Sequence, residues 1–235
     1  MTEFTAASQA SGSPADITFL PPLGPTGVET CPVNVAWVAG TAQAWDRDSS
    51  LGWELSEPLR AMGGSALEGR GNRHYSKGVR ADDWRWVVLW GGQGGAAGTV
   101  YVEVRQSVWE GGAPLSLATW LLSRVRASRI DLAADLIGMR AARPSALFDR
   151  RESAWSRTER RGWELTLRGD GGEKLTVGAR SSQRYLRVYV KGDDWIRHEL
   201  EAKGNVARAI AGALQGGRSP RDVFGDEYGR IVRWH

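Results

Sequence analysis

Three segments of the C-terminal half alternate between apolar and polar residues with a period of two, the period of a strand that buries one face. In SRIDLAADL, which starts at Ser128, Ile130, Leu132, Ala134 and Leu136 fall on one side, leaving Arg129, Asp131, Ala133 and Asp135 on the other. In RYLRVYVKG, which starts at Arg184, Leu186, Val188 and Val190 oppose Tyr185, Arg187, Tyr189 and Lys191. In WIRHELEAKG, which starts at Trp195, Ile196, His198 and Leu200 oppose Arg197, Glu199 and Glu201. SRIDLAADL also tolerates a helical reading as a continuation of the segment before it; its alternation favours a strand.

Elsewhere the pattern predicts a strand in VNVAWVAG from Val33 and a short helix in LSEPLRAMGG from Leu55, capped by Ser56 and stopped by glycine. WRWVVLW from Trp84 and TVYVEVR from Thr99 read as two strands of an antiparallel hairpin joined by GGQGGAAG. Those glycines lack the lysine and hydroxyl of a phosphate-cradling loop, and no helix start follows them. PLSLATWLLSRVRA from Pro114 places Leu117, Trp120, Leu121 and Arg124 at helical spacing, and RPSALFDRRES from Arg143 predicts a second short helix capped by Ser145. WELTLRG from Trp163 and EKLTVGAR from Glu173 follow as strands turning through DGG at Asp170. Near the end, Asn205 is expected to cap NVARAIAGAL, and Ser219 with Pro220 to start a last helical turn. The sum is an α+β fold: a central antiparallel sheet with helices packed mainly on one face. Residues 1–31, rich in Ser, Ala, Thr, Gly and Pro, read as a flexible tail, and residues 32–235 as one domain.

Composition narrows the class of function only modestly. Across 235 residues, 41% are hydrophobic and 25% charged, an ordinary globular balance. No apolar run approaches roughly 18 residues and the N-terminus lacks the order of a secretory signal, so a cytoplasmic protein without a membrane span is expected. Cys31 is the single cysteine, which excludes an internal disulfide and agrees with a reducing compartment. The 31 basic residues outnumber the 27 acidic ones, most of them are arginine, and a net charge of +4 is compatible with a phosphate-rich partner. Twelve tryptophans offer large core residues and some base-stacking surfaces.

If the three alternating strands are neighbours, one sheet face gathers carboxylates, arginines and tyrosines. That set has a chemistry: carboxylates hold a hard divalent cation, a tyrosine hydroxyl attacks a phosphodiester, and arginines hold the phosphate. It has a bland reading too. Cross-strand ion pairs account for Arg129, Asp131, Arg197 and Glu199 with no metal at all.

SRIDLAADL, then TVGARSSQRYLRVYVKG from Thr176, then WIRHELEAKG resemble, in order and spacing, blocks of the replication initiation factor family. That family comprises initiators of rolling-circle plasmids and related relaxases of conjugative elements. The similarity extends over most of the chain after residue 30 and implies a relaxase-like palm. It also implies a metal-dependent, site-specific single-strand DNA endonuclease and strand transferase working through a 5′-phosphotyrosine intermediate. By the same resemblance Tyr189 is the expected nucleophile, with Tyr185 its competitor on the same face. Asp131 and Glu199 are the expected ligands of Mg²⁺ or Mn²⁺, and Asp135 is a further candidate that could instead orient Arg129. Arg129, Arg187, Lys191 and Arg197 are expected to contact DNA, single-stranded or at an origin, and a helicase or another replication protein is an implied partner. The basic stretch from Arg150 to Arg168 is a further candidate for tracking the DNA backbone. The sequence departs from the family at Val190, where an acidic residue is usual, and in the short stretch after the last block. A non-catalytic, origin-binding factor on the same scaffold is the alternative.

Overall fold

The structure is a computed structural model that describes residues 33–44, 48–62, 66–70, 74–137, 143–150, 154–155 and 162–234. The expected N-terminal tail and most of the basic stretch between Arg150 and Arg168 lie outside them.

Ten strands form one sheet in which every pair is antiparallel. At its centre β1 (Val33–Gln43) pairs with β6 (Arg126–Ile137). On one side lies a meander of β2 (Ala66–Arg70), β3 (Tyr75–Ala81), β4 (Trp86–Gly92) and β5 (Thr99–Val104), whose last strand pairs with β1. On the other lie β8 (Trp163–Leu167), β9 (Glu173–Val177), β10 (Arg184–Gly192) and β11 (Trp195–Lys203), with β11 against β6. A separate two-stranded ladder joins β7 (Ala154–Trp155) to β12 (Arg233–Trp234).

Six helices contribute buried residues to one cluster against one face of this sheet. They are α1 (Asp48–Ala61), α2 (Gln106–Glu110), α3 (Leu115–Leu122), α4 (Pro144–Asp149), α5 (Gly204–Gln215) and α6 (Pro220–Gly229). Ile130, Leu132, Ala134 and Leu136 of β6, Leu186 and Val188 of β10, and Ile196 and Leu200 of β11 all enter that cluster. The inward sides of the three alternating segments are therefore as expected. His198 joins them on the apolar face, buried and stacked on Tyr228 of α6 at 5.8 Å between ring centroids. SRIDLAADL is a strand because it is flanked by β1 and β11 and its backbone groups are taken by two ladders, a tertiary choice that overrides the helical leaning of Ala and Leu.

Helix ends differ from expectation in three places. Helix α1 begins at Asp48 and runs through Pro58, so Ser56 is interior and its hydroxyl donates to the Trp53 carbonyl at 2.9 Å. Burial of Leu55 and Leu59 in the core compensates the backbone bond that proline lacks. Ser145 lies inside α4, whose cap is Arg143, and its backbone N–H and hydroxyl both donate to Glu173 of β9. Lys203, not Asn205, is the cap of α5. Ser219 does cap α6, accepting from the Asp222 N–H at 3.1 Å. Trp84 precedes β4 in a tight turn with φ of 60°, a conformation uncommon for an aromatic residue, and Arg80 lies 3.9 Å over its ring. Among the described residues no helix is long and apolar enough to cross a membrane.

Candidate functional site

The sheet face opposite the helices carries the polar set. Strand β6 brings Arg129, Asp131 and Asp135; β11 brings Arg197, Glu199 and Glu201; β10 brings Tyr185, Arg187, Tyr189 and Lys191. Register decides who meets whom. Asp131 stands opposite Glu201 and Asp135 opposite Arg197, while Arg187 faces Glu199 and Tyr189 faces Arg197.

Asp131 has no exposed surface, and Glu199 and Glu201 are 5% and 1% exposed. Carboxylates so deeply buried need partners, since an unpaired buried charge is strongly unfavourable. Arg129 grips Asp131 with both fork arms, at 2.9 and 2.5 Å, and lies 3.1 Å from Glu201. One nitrogen of Arg187, Nη2, lies 3.2 Å from Asp131, 2.7 Å from Glu199 and 3.5 Å from Glu201. Lys203 completes the Glu201 pairing at 2.5 Å. The Tyr189 hydroxyl donates to Glu199 Oε2 at 2.9 Å. Trp37 of β1 borders the cluster, with Arg129 4.3 Å above its ring.

A second group lies further along the same strands. Arg197, 3% exposed, clasps Asp135 at 2.6 and 2.5 Å, and the Trp195 indole N–H donates to the same carboxylate at 2.8 Å. Asp135 thus orients Arg197, not Arg129 as the sequence had allowed. Glu110, at the end of α2, reaches across to Lys191 and to Arg197 Nη1 at 2.8 Å, and Gln106 donates to it at 2.7 Å. A cavity of about 390 Å³ opens beside Arg197, walled by Asp135, Glu110, Gln106, Trp109 and Trp195.

These surroundings tune the acids. Burial pushes the Asp131 carboxyl up to about 6, helped by the nearby Glu199 charge and opposed by Arg129 and Arg187. Arg129 itself is held above its usual range: its burial acts downward but the Asp131 bond outweighs it. Both partners rise because desolvation exceeds pairing at the fully buried carboxylate and not at the half-open guanidinium. Burial and the Glu199 charge raise the Tyr189 phenol, which keeps it protonated at rest. Burial acts upward on Glu110 too, but hydrogen bonds from Lys191 and Gln106 and the Arg197 charge leave it below the usual carboxylate range.

For a divalent cation the donors are right in kind, hard carboxylate oxygens screened from solvent. Asp131, Glu199 and Glu201 converge on one point, and Arg187 Nη2 stands at that point. Among the described residues, and as the side chains lie around that arginine, no three Asp, Glu, His or Cys groups share metal-ligand spacing. Asp135 stands apart with Arg197.

The structure therefore brings together Asp131, Glu199, Arg129, Arg187 and Tyr189, and forms a neighbouring group of Asp135, Arg197 and Lys191. Tyr185, buried, stands in register with Glu201 at the far end, about 13 Å along the strand from Tyr189. Two carboxylates were not singled out from sequence. Glu201 was legible from its alternation with Glu199; Glu110 sits in a five-residue helix with no periodic signal.

No protein-family profile and no curated protein matches the chain. Among solved structures it is similar to the rolling circle replication initiator protein from Geobacillus stearothermophilus, with a TM-score of 0.67 and 17% sequence identity over 87% of each chain. At that identity the likeness is one of fold: the chain has the sheet-and-helix architecture of a rolling-circle replication initiator.

Proposed function

We propose that the protein is a replication initiator of the rolling-circle type that nicks one DNA strand and remains joined to it through Tyr189. The observation that carries this reading is the Tyr189 hydroxyl bonded to Glu199 at 2.9 Å on a face that also holds Arg187, Lys191 and Arg197. The shared fold of a rolling circle initiator supports it.

In the reaction the phenolic proton passes to Glu199, which already accepts its hydrogen bond. The phenolic oxygen attacks phosphorus, a P–O bond to tyrosine forms, and the bond to the 3′ oxygen breaks. The 3′ oxygen leaves as a hydroxyl after taking a proton from solvent, and the 5′ phosphate stays on the enzyme. Arg187, Lys191 and Arg197 hold the phosphate and neutralise charge that grows on it, with Arg129 next in line through Asp131. A bond to tyrosine keeps the energy of the broken linkage, so the strand can be rejoined by a second hydroxyl. Asp131 and Glu199, with Glu201 beside them, would hold Mg²⁺ or Mn²⁺, which when bound supplies Lewis-acid polarisation of the phosphate. Asp135 serves by holding Arg197. The free 3′ end then primes synthesis, for which a helicase or another replication protein would open the duplex.

A second reading is favoured by one observation, the pairing of every carboxylate in the cluster with a guanidinium or ammonium group. A DNA-binding factor without nicking activity needs nothing more. End-labelled single-stranded origin DNA incubated with Mn²⁺ and run on a denaturing gel separates the two. Nicking is expected from the parent and from Tyr185→Phe but not from Tyr189→Phe, whose DNA affinity stays within a few-fold because the basic groups remain. Mass spectrometry should find the 5′ phosphate on Tyr189. An adduct on Tyr185 moves the nucleophile, and binding without cleavage by the parent establishes the second reading.

A further inference from the structure

Glu110 reaches this face from α2, outside the three strands, and its position is unlike that of Asp131, Glu199 and Glu201. A single oxygen, Oε1, receives Lys191, Arg197 and Gln106 together. Lys191 also lies 4.3 Å over the Trp195 ring, which fixes the ammonium beside the cavity that Arg197 walls. Two hydrogen-bond donors, Lys191 and Gln106, and the Arg197 cation in ion-pair contact gather on one anionic oxygen, much as protein groups gather on a non-bridging phosphate oxygen, and Arg197 Nη1 itself is buried with no hydrogen bond. Arg197 cannot move aside to make a different site, because Asp135 holds its other nitrogens in a two-pronged bond and only 3% of the residue is exposed. Glu110 can move: its side chain is 40% exposed and sits in the last turn of a five-residue helix.

We infer that the Glu110 carboxylate is an internal stand-in for a DNA phosphate, and that a phosphodiester entering beside Tyr189 displaces it from Lys191 and Arg197. This rests on the reading of the face as a DNA site and adds its regulation: the unloaded protein holds its phosphate-binding groups closed against weak anions. A single phosphate gains little, because it replaces one anion by another, whereas a strand contacting Arg187 as well exchanges several at once. The device thus favours polymeric substrate over free phosphate or nucleotide. The cavity beside Arg197 is the space into which the strand can enter without moving the sheet.

The test measures fluorescence anisotropy of a fluorescein-labelled (dT)₂₀ oligonucleotide at 100 mM NaCl with the full chain and five variants. Glu110→Gln keeps the size and the Gln106 contact but removes the charge, and is expected to bind roughly tenfold tighter, the effect of one charge-assisted contact freed at a half-exposed position. Glu110→Asp, a methylene shorter, should fall between. Glu54→Gln removes an equal charge on α1, where Glu54 lies 3.5 Å from Arg124, and should change affinity less than twofold. In a Lys191→Gln background the gain from Glu110→Gln should shrink to a few-fold, because the freed contact no longer exists; a general charge effect would persist undiminished. Equal binding by Glu110→Gln and Glu54→Gln, or a gain that stays at its full size in the Lys191→Gln background, overturns the inference while leaving the DNA site intact. No binding of the oligonucleotide by the parent or any variant overturns the DNA reading and the inference with it.

Discussion

Replacing Arg187 with methionine removes the cation at the meeting point of Asp131, Glu199 and Glu201 while nearly preserving volume. Removing one partner from a buried ion pair costs about 3–5 kcal/mol, mostly because the other charge is left without compensation. Here the cost falls at the lower end. Arg129 still holds Asp131 at 2.5 Å and Glu201 at 3.1 Å, Lys203 still holds Glu201, and Tyr189 still donates to Glu199. A loss of roughly 3 kcal/mol lowers the melting temperature of a domain of this size by about 6–12 °C. Thermal unfolding followed by circular dichroism at pH 7.5, free of divalent ions, measures it. The loss should shrink at pH 5. In the parent Asp131 is already raised from 3.8 to about 6, and without Arg187 it rises further. A carboxyl raised in the folded state gives stability that is complete below the unfolded value and disappears as pH climbs through the folded one, so acid protects the variant. Millimolar Mn²⁺ should restore part of the melting temperature of Arg187→Met and little of the parent's, because only the variant has carboxylates open to it. Arg187→Lys, which keeps charge but not the planar fork, should lie between. A drop below about 2 °C that is indifferent to pH and Mn²⁺ would refute the view that this arginine neutralises the three carboxylates.

Other expectations follow from the same geometry. Asp131→Asn should remove a pH dependence: the stability advantage of the parent over this variant should decline by up to about 3 kcal/mol between pH 4 and pH 7, as the displacement from 3.8 to about 6 implies, measurable by urea unfolding across that range. A constant difference would show that Asp131 titrates normally. Binding of (dT)₂₀ by the parent should weaken with salt at a logarithmic slope of roughly −3, for about four phosphate contacts on a single strand, and a flat dependence would point to stacking alone. Gly92→Ala would place a methyl carbon 1.9 Å from the Ala96 carbonyl oxygen, so the turn joining β4 to β5 must shift, with an expected cost of about 1–3 kcal/mol by chemical denaturation.

The sides of the sheet were legible in the sequence because each of β6, β10 and β11 turns one face to a single apolar core, and a period of two cannot serve that core from both sides at once. Ile130, Leu132 and Leu136 fix Asp131 and Asp135 on the open face as firmly as Leu200 and Ile196 fix Glu199. Partners were not legible, because they follow from register. Alternation does not say that Asp135 stands opposite Arg197 or that Asp131 stands opposite Glu201, and sliding β11 by two residues would keep every face while exchanging every pair. Helix starts were misread where a serine or asparagine had a second role, as with Ser145, whose hydroxyl goes to Glu173. Glu110 left no trace, since one acidic residue in QSVWE acquires meaning only when α2 folds back toward β11. The same distinction reaches the chemistry. Convergence of Asp131, Glu199 and Glu201 follows from strand order and periodicity, but whether their charge is balanced by Arg187 or by a divalent ion is a competition between two cations for the same oxygens. The guanidinium is tethered and always present, so its effective concentration is high; the ion carries twice the charge and binds closer. Under the proposed function DNA would tip that balance, because each phosphate drawn to Arg187 would lower the hold of the arginine on the carboxylates and leave them open to an ion as the strand arrives.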